Sequence, residues 1–331
     1  MGVRSMKISG GKFMVTGGVS LIGSHVTEQL LEAGAEEVIL FDNYSLGSND
    51  MIGHILENPK VRLVRGDITR INELYDALDG VDGIFAIAGF LTLPFSANPS
   101  LGISVNALGH ATVLEAARYR GVKKVIFSSS VATYGDPEGG VIDETRPFRF
   151  HTMTPPGVLY GATKIIGEQL GKLYSDRYGV QSVSLRYATV YGERQHYRGV
   201  NALYIIDTYD KLMAGERPQI PGDGSEVHDY IHVADVARAN LMAMDSDVTA
   251  ESFNVATGKA TNLNRLFEIV AGIVGSDLKP EYKDKAGAVR VTTSSELDFS
   301  IDKIEKMIGW TPQVSIEDGI ERLIKWRRSQ G

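Results

Sequence analysis

The chain has no cysteine among its 331 residues. That excludes disulfides, thiolate nucleophiles and cysteine-ligated metals. The seven histidines are dispersed and form no HExxH-type pair, so no metal site is expected. Long hydrophobic runs are missing as well: no stretch approaches the roughly 20 apolar residues of a membrane span. The opening MGVRSM has no apolar block of the kind a signal peptide carries. These absences lead to the expectation of a cytoplasmic protein with no membrane partner. Charge of one sign is also not concentrated. Lysine and arginine number 34 against 41 acids, net −7, and the basic residues are scattered. A nucleic-acid partner is therefore not expected. What remains is 43% hydrophobic content, enough for a large core in one or two domains.

Apolar runs recur with helical stretches between them: KFMVTG, EEVILFD, VRLVRGD, GIFAIAG, KKVIFSSS and QSVSLRY. Such alternation predicts parallel strands joined by crossover helices on both faces, a doubly wound α/β sheet of the Rossmann type. Helices are expected near Ser24–Ala33, Ile71–Leu78, Ile103–Tyr119 and Tyr160–Tyr178, and later over Ala202–Met213, Asn262–Val274 and Ile316–Arg328. After Tyr191 the alternation breaks. Residues 191–225 and 257–331 are expected to form a smaller substrate-binding domain. It interleaves with a cofactor domain made of residues 7–190 and 226–256.

KFMVTGGVSLIGSHVTEQLLEAG reads as strand, glycine-rich turn and helix, and EEVILFD follows as a strand ending in an acid. That is the dinucleotide-binding order. Gly17 permits the tight turn and Gly23 permits close helix–strand packing. The helix N-terminus near Leu21 offers backbone N–H groups to a pyrophosphate. Asp42 is placed to accept from ribose hydroxyls. Its charge repels a 2′-phosphate, so NAD is expected over NADP.

Tyr160 and Lys164 lie four residues apart in LYGATK, on one face of a predicted helix. An ammonium there favours phenolate, so the tyrosine pKa is expected to fall toward working pH. Ser130 ends the VIFSSS strand and can hydrogen-bond a reacting oxygen. The chemistry implied is proton transfer from an alcohol coupled to hydride transfer.

With these come further segments in order: TGGVSLIGSH, FDNYSLGS, GDI at 66–68, FSSSVATYGD, YGATK, LRYATVYG, GDGSEVHDYIHVADVA and IGWTPQVSIEDGI. Together they resemble the extended short-chain dehydrogenases/reductases, in particular the NAD-dependent nucleotide-sugar epimerases and dehydratases, and most of all UDP-glucose 4-epimerases. The resemblance implies NAD contacts at Gly17, Ser20, Leu21, Ile22, Gly23, Asp42, Asn43, Asp67, Ile68, Ala86, Ile87, Ala88, Ser128, Tyr160, Lys164 and Tyr187. It implies a catalytic triad of Ser130, Tyr160 and Lys164, and a homodimer formed through the helices at 103–119 and 160–178. Substrate contacts are implied at Ser130, Thr189, Arg194, Arg198, His228, Lys285 and Arg290.

Departures from the pattern fall on the substrate side. Ser20 replaces the middle glycine, where its hydroxyl is placed to donate to a phosphate oxygen. Thr189 replaces an asparagine. His228 and Lys285 stand where arginines are usual, and Leu91 stands where a polar or basic residue is usual. Val131 and Ala132 follow Ser130 in place of an Asp-Glu pair, which disfavours dehydration and decarboxylation. The leading expectation is a UDP-hexose C4 epimerase. The alternatives are an NAD-dependent dehydrogenase or reductase of a non-nucleotide alcohol or ketone, and a non-catalytic NAD-sensing protein.

Overall fold

The computed structural model describes residues 7–137, 139–195, 203–284 and 297–330. Its strands in chain order are β1 (Lys12–Thr16), β2 (Glu37–Asp42), β3 (Val61–Arg65), β4 (Gly83–Ala86), β5 (Lys124–Ser130), β6 (Val141–Ile142), β7 (Gln181–Tyr187), β8 (Thr189–Tyr191), β9 (Gln219–Pro221), β10 (Val227–His232), β11 (Glu251–Val255), β12 (Ala260–Asn262), β13 (Glu281–Lys283) and β14 (Asp298–Phe299). Its helices are α1 (Leu21–Glu32), α2 (Gly53–Leu56), α3 (Ile71–Ala77), α4 (Thr92–Ala97), α5 (Pro99–Ile103), α6 (His110–Arg120), α7 (Pro155–Tyr178), α8 (Leu203–Met213), α9 (Val233–Asp245), α10 (Leu263–Val274), α11 (Asp302–Ile308) and α12 (Ile316–Ser329).

Seven strands form one sheet in the order β11-β7-β5-β4-β1-β2-β3, and every neighbouring pair is parallel. The sequence reading gave six of these strands and missed β11. The chain runs outward from β1 to β3, then returns across β1 to β4 and continues the other way. The reversal opens a crevice at the carboxyl ends of β1 and β4. Parallel strands buried on both faces need near-continuous apolar runs. Accordingly, Phe13 and Val15 join a core with Val26 and Leu30 of α1 and Val236 of α9. Met14, one residue out of phase, joins the opposite core with Leu74 of α3 and Leu114 of α6. Fully burying one such leucine contributes about 1.5–3 kcal/mol.

The helices end where their sequences allow. Pro155 and Pro156 open α7, and Gly179, at φ +72°, closes it. The helix expected over 103–119 is instead three pieces: α5, a π-helical turn at Ser104–Gly109, and α6. The stretch 226–256 also divides. Strand β10 pairs with β8 and β12 in a separate three-stranded sheet, while β11 edges the main sheet. A third core gathers Ile205 and Ile206 of α8, Leu266 and Val270 of α10, and Ile320 and Leu323 of α12 around Tyr191. Among the described residues no helix is long and apolar enough to cross a membrane.

Candidate active site

The glycine-rich turn is fixed by contacts that tolerate no side chain. Gly17 has φ +67°, and a Cβ there would lie 2.8 Å from the Ala88 nitrogen. A Cβ on Gly23 would lie 2.4 Å from the Gly17 carbonyl oxygen. Ser20 is the N-cap of α1. Its Oγ donates to the Gly17 carbonyl at 2.6 Å and accepts from the Gly23 N–H at 3.1 Å. The hydroxyl expected to reach a phosphate is thus spent on closing the turn. Asp42, at the end of β2, accepts from the Val19 N–H at 3.0 Å and the Tyr44 N–H at 2.7 Å. Burial raises its pKa against those two bonds.

These residues wall a cleft of about 600 Å³ at the β1/β4 crevice. Gly17, Ser20, Asp42, Asn43, Asp67, Ile68, Ile87 and Ala88 line it. Leu21, Ile22 and Gly23 form the first turn of α1 behind the loop, and Ala86 ends β4. The backbone closes in at Gly17, a helix N-terminus is at hand and the acid ends β2. This arrangement fits a dinucleotide.

Ser130 ends β5, and its Oγ accepts from the Ala132 N–H at 3.2 Å. Its hydroxyl also acts on Tyr160, favouring the ionised phenol. Tyr160 and Lys164, one turn apart on α7, are both buried. The structure overturns the expected direction of the tyrosine shift. Burial drives the phenol up to about 12, against the Ser130 hydrogen bond. Lys164 spends one N–H on the Ser128 carbonyl at 2.8 Å, and burial drives its ammonium down to about 8, with Glu168 opposing. Desolvation outweighs charge proximity in this dry site.

Tyr187 and Ser128 meet side by side beneath the triad, Oη to Oγ at 3.1 Å, and Asn240 holds the Tyr187 hydroxyl from the other side. Burial lifts the Tyr187 phenol to about 12.

Several positioning groups were not foreseen. Asn106 sits in the π-helical turn, a feature frequent at functional sites. Its side chain accepts from the Phe90 N–H at 2.7 Å and donates to the Phe90 carbonyl at 2.9 Å. It also donates to Thr163 Oγ1 at 3.5 Å. Thr163 in turn donates to the Tyr160 carbonyl at 2.7 Å. Glu168 accepts from Ser129 at 2.6 Å, from Arg186 at 2.8 and 2.7 Å, and from Ser252 at 3.1 Å. His110 stacks on Phe127 with centroids 4.0 Å apart. Burial, then the charge of Lys164, drives its imidazole down to about 3. The spacing Lys164-x-x-x-Glu168 was available as a signal for Glu168. None was available for Asn106, because the π-turn breaks the periodicity that would have placed it.

The expected substrate residues separate. Thr189 and His228 line one pocket of about 430 Å³ with Ala132, Asp229 and Phe299. His228 Nε2 lies 3.0 Å from Glu226 Oε1. Arg194 turns away from this pocket. At φ +71°, it donates to Ser24 Oγ and Glu28 Oε1, each at 3.0 Å, so it braces α1. The ion pair with Glu28 is partly buried and two-pronged. Arg198, Lys285 and Arg290 lie outside the described residues. Among the described residues, no cluster of three or more His, Asp or Glu could hold a metal.

Comparison with known proteins agrees with this geometry. Residues 13–256 match the model of the NAD dependent epimerase/dehydratase family. The UDP-glucose 4-epimerase of Mycolicibacterium smegmatis is 30% identical over 326 residues, covering 96% of this chain and 98% of that protein. Among solved structures, the UDP-glucose 4-epimerase of Thermotoga maritima with UDP-glucose is 31% identical. It superposes with a TM-score of 0.85 over 96% of this chain and 99% of the other. The UDP-N-acetylglucosamine 4-epimerase of Methanobrevibacter ruminantium, in complex with UDP-N-acetylmuramic acid, is 29% identical. Its TM-score is 0.86 over 98% of this chain and 100% of that one.

Proposed function

The chain belongs to the NAD-dependent epimerase/dehydratase family, and we propose that it inverts C4 of a UDP-linked hexose. The observation that carries this reading is that Ser130 at the end of β5 and Tyr160 and Lys164 on α7 stand with no acidic residue directly after Ser130. Val131 and Ala132 follow Ser130 and can move no proton. Elimination would need a further acid–base pair, whereas epimerisation needs one proton acceptor that later gives the proton back.

NAD would be held by the Gly17–Gly23 turn, Asp42 and Lys164, and when bound it supplies a hydride acceptor and donor and a positive ring charge near the phenol. The chain does the rest. Tyr160 Oη takes the C4 hydroxyl proton and returns it to the same oxygen after the sugar has turned. Ser130, at the end of β5, orients that oxygen. Lys164 keeps positive charge beside the phenol and anchors α7 to β5 through Ser128. The buried phenol is neutral in the free protein, so its own proton must first pass to solvent before it can take the sugar's, at a cost that the positive charge of Lys164 and of bound NAD would lower.

A second reading, a dehydrogenase of a non-nucleotide alcohol, draws on a specific observation. Arg194 is engaged by Glu28, and His228 is beside Glu226. One measurement separates the two: bound nucleotide and 340 nm absorbance of the purified protein with UDP-glucose. Epimeric product with no net NADH supports the epimerase, and stoichiometric NADH supports the dehydrogenase.

A homodimer through α6 and α7 accords with their exposed apolar side chains. Leu108, near the end of the π-turn, and Tyr119 are each 61% exposed, and Ile166 and Leu173 of α7 are also exposed. Light scattering of wild type and Ile166→Glu tests this: a dimer that becomes a monomer is expected. A cytoplasmic location accords with a chain that needs no oxidising compartment to fold.

A further inference from the structure

Lys164 is 6% exposed, and its Nζ lies 5.6 Å from the centre of the Tyr160 ring and 5.2 Å from that of Phe127. A buried ammonium gives up its proton unless an opposite charge stands near it. The titratable groups on the elements packed against it narrow where that charge is. Burial pushes the phenols of Tyr160, Tyr187 and Tyr134 up to about 12. Burial, then the charge of Lys164, pushes His110 down to about 3. All four are therefore neutral at pH 7. Glu115 of α6 is taken by Tyr174, near the other end of α7, at 2.6 Å. Glu168 stands one turn beyond Lys164 on α7 and is 2% exposed. Burial pushes its carboxyl up, but the hydrogen bonds and charge of Arg186 hold it below its ordinary value, so it is ionised. Both its oxygens are filled by Ser129, Arg186 and Ser252. The carboxylate and the ammonium thus meet through space, four residues apart on one helix face.

We propose that Glu168 is a positioning residue for the proton transfer: fixed by Ser129, Arg186 and Ser252, its carboxylate holds Lys164 in the ammonium form beside Tyr160. The proposal rests on the reading that Lys164 works as a cation next to the phenol, and it does not depend on which alcohol is the substrate. Arg186 keeps the carboxylate ionised in a dry site, and its remaining nitrogen turns to the Tyr134 hydroxyl at 2.9 Å and the Glu144 carbonyl at 3.3 Å. The carboxylate in turn sets the pH above which Lys164 is lost as a cation. Activity that needs the ammonium falls as pH rises through that point, so removing the carboxylate moves the fall to lower pH.

The test is a ¹³C-lysine NMR titration of the full-length, NAD-loaded protein, with the Lys164 signal identified by its loss in Lys164→Met. In Glu168→Gln the Lys164 midpoint should fall by about one pH unit or more, the usual effect of losing an opposite charge at this range. The alkaline limb of kcat/KM should move with it. Ser252→Ala loosens the same carboxylate but leaves its charge, so the midpoint should stay at the wild-type value. An unchanged midpoint in Glu168→Gln, or an equal fall in Ser252→Ala, overturns the proposal. Should Glu168→Gln fail to fold because it strands the Arg186 guanidinium, the double variant Glu168→Gln/Arg186→Met removes both charges and must show the same fall. Wild type that turns over no UDP-glucose overturns the epimerase reading, while the NMR comparison still decides the role of Glu168.

Discussion

The cofactor cleft and the substrate pocket differ in how far along the chain their walls are gathered. The cleft is lined by residues between Gly17 and Val105, from successive turns at the ends of β1, β2, β3 and β4. The pocket draws on segments spread from Val131 to Phe299. In the cleft, each wall is the direct outcome of a local βα unit, so its geometry comes with the sheet. In the pocket, each wall depends on how the β10 sheet and the later segments settle against the first. The cleft is therefore the generic half, and the pocket, with Thr189 and His228 in its wall, is the half on which departures from the family pattern fall.

The sharpest challenge to that division comes where the two halves meet. Tyr160→Phe removes only the proton-carrying oxygen, so kcat should fall by about 10²–10⁴, while NAD affinity, measured by fluorescence titration, stays within about twofold. A comparable loss of NAD binding would mean that the phenol belongs to the cleft as much as to the chemistry.

Next in size is Gly23→Ala. The added Cβ meets the Gly17 carbonyl at 2.4 Å, a backbone atom that cannot swing aside. Overpacking of this kind costs about 1–3 kcal/mol. NAD affinity should drop by roughly ten- to a hundredfold, with UDP affinity by calorimetry unchanged. Parallel losses of both would erase the distinction between the regions.

Lys164→Met probes the floor shared by both. The buried ammonium titrates near 8 rather than 10.5. A base with a depressed folded pKa destabilises the fold fully below the folded value, and the cost is relieved as pH rises from about 8 to 10.5. The methionine variant, though inactive, should be more stable than wild type by about 2 kcal/mol at pH 7. That advantage should fade between pH 8 and 10.5 in melting curves taken across pH. An advantage that does not change with pH would show that the lysine is not desolvated.

The mildest change, His228→Arg, should tighten UDP binding by only a few-fold, because Glu226 sits beside this position and competes for the guanidinium. A gain of a hundredfold would show that the pocket is already preformed for a diphosphate.

What the sequence disclosed follows the same division. Gly17, Gly23, Asp42 and the Tyr160–Lys164 pair were legible because each is a local pattern with a short-range cause. Strand β11 was not, since ESFNV carries polar residues whose partners lie on a covering helix, such as Ser252, which donates to Glu168 of α7. Arg194 was assigned to a ligand because its partner Glu28 lies 166 residues away. The tyrosine shift was read with the wrong sign because spacing reveals a neighbouring charge but not the dryness around it. Asn106 was hidden by a helix whose register slips at the residue that matters.

Glu168 holds Ser129 on β5, Arg186 on β7 and Ser252 on β11 from a single point on α7. A helix riveted to three strands cannot fray on its own. Amide protons in its middle turns should exchange with deuterium only when the whole sheet opens, at the protein's global unfolding free energy. The catalytic turn at 160–164 would then belong to the slowest-exchanging part of the molecule, and its precision would be lost only when the fold itself is lost.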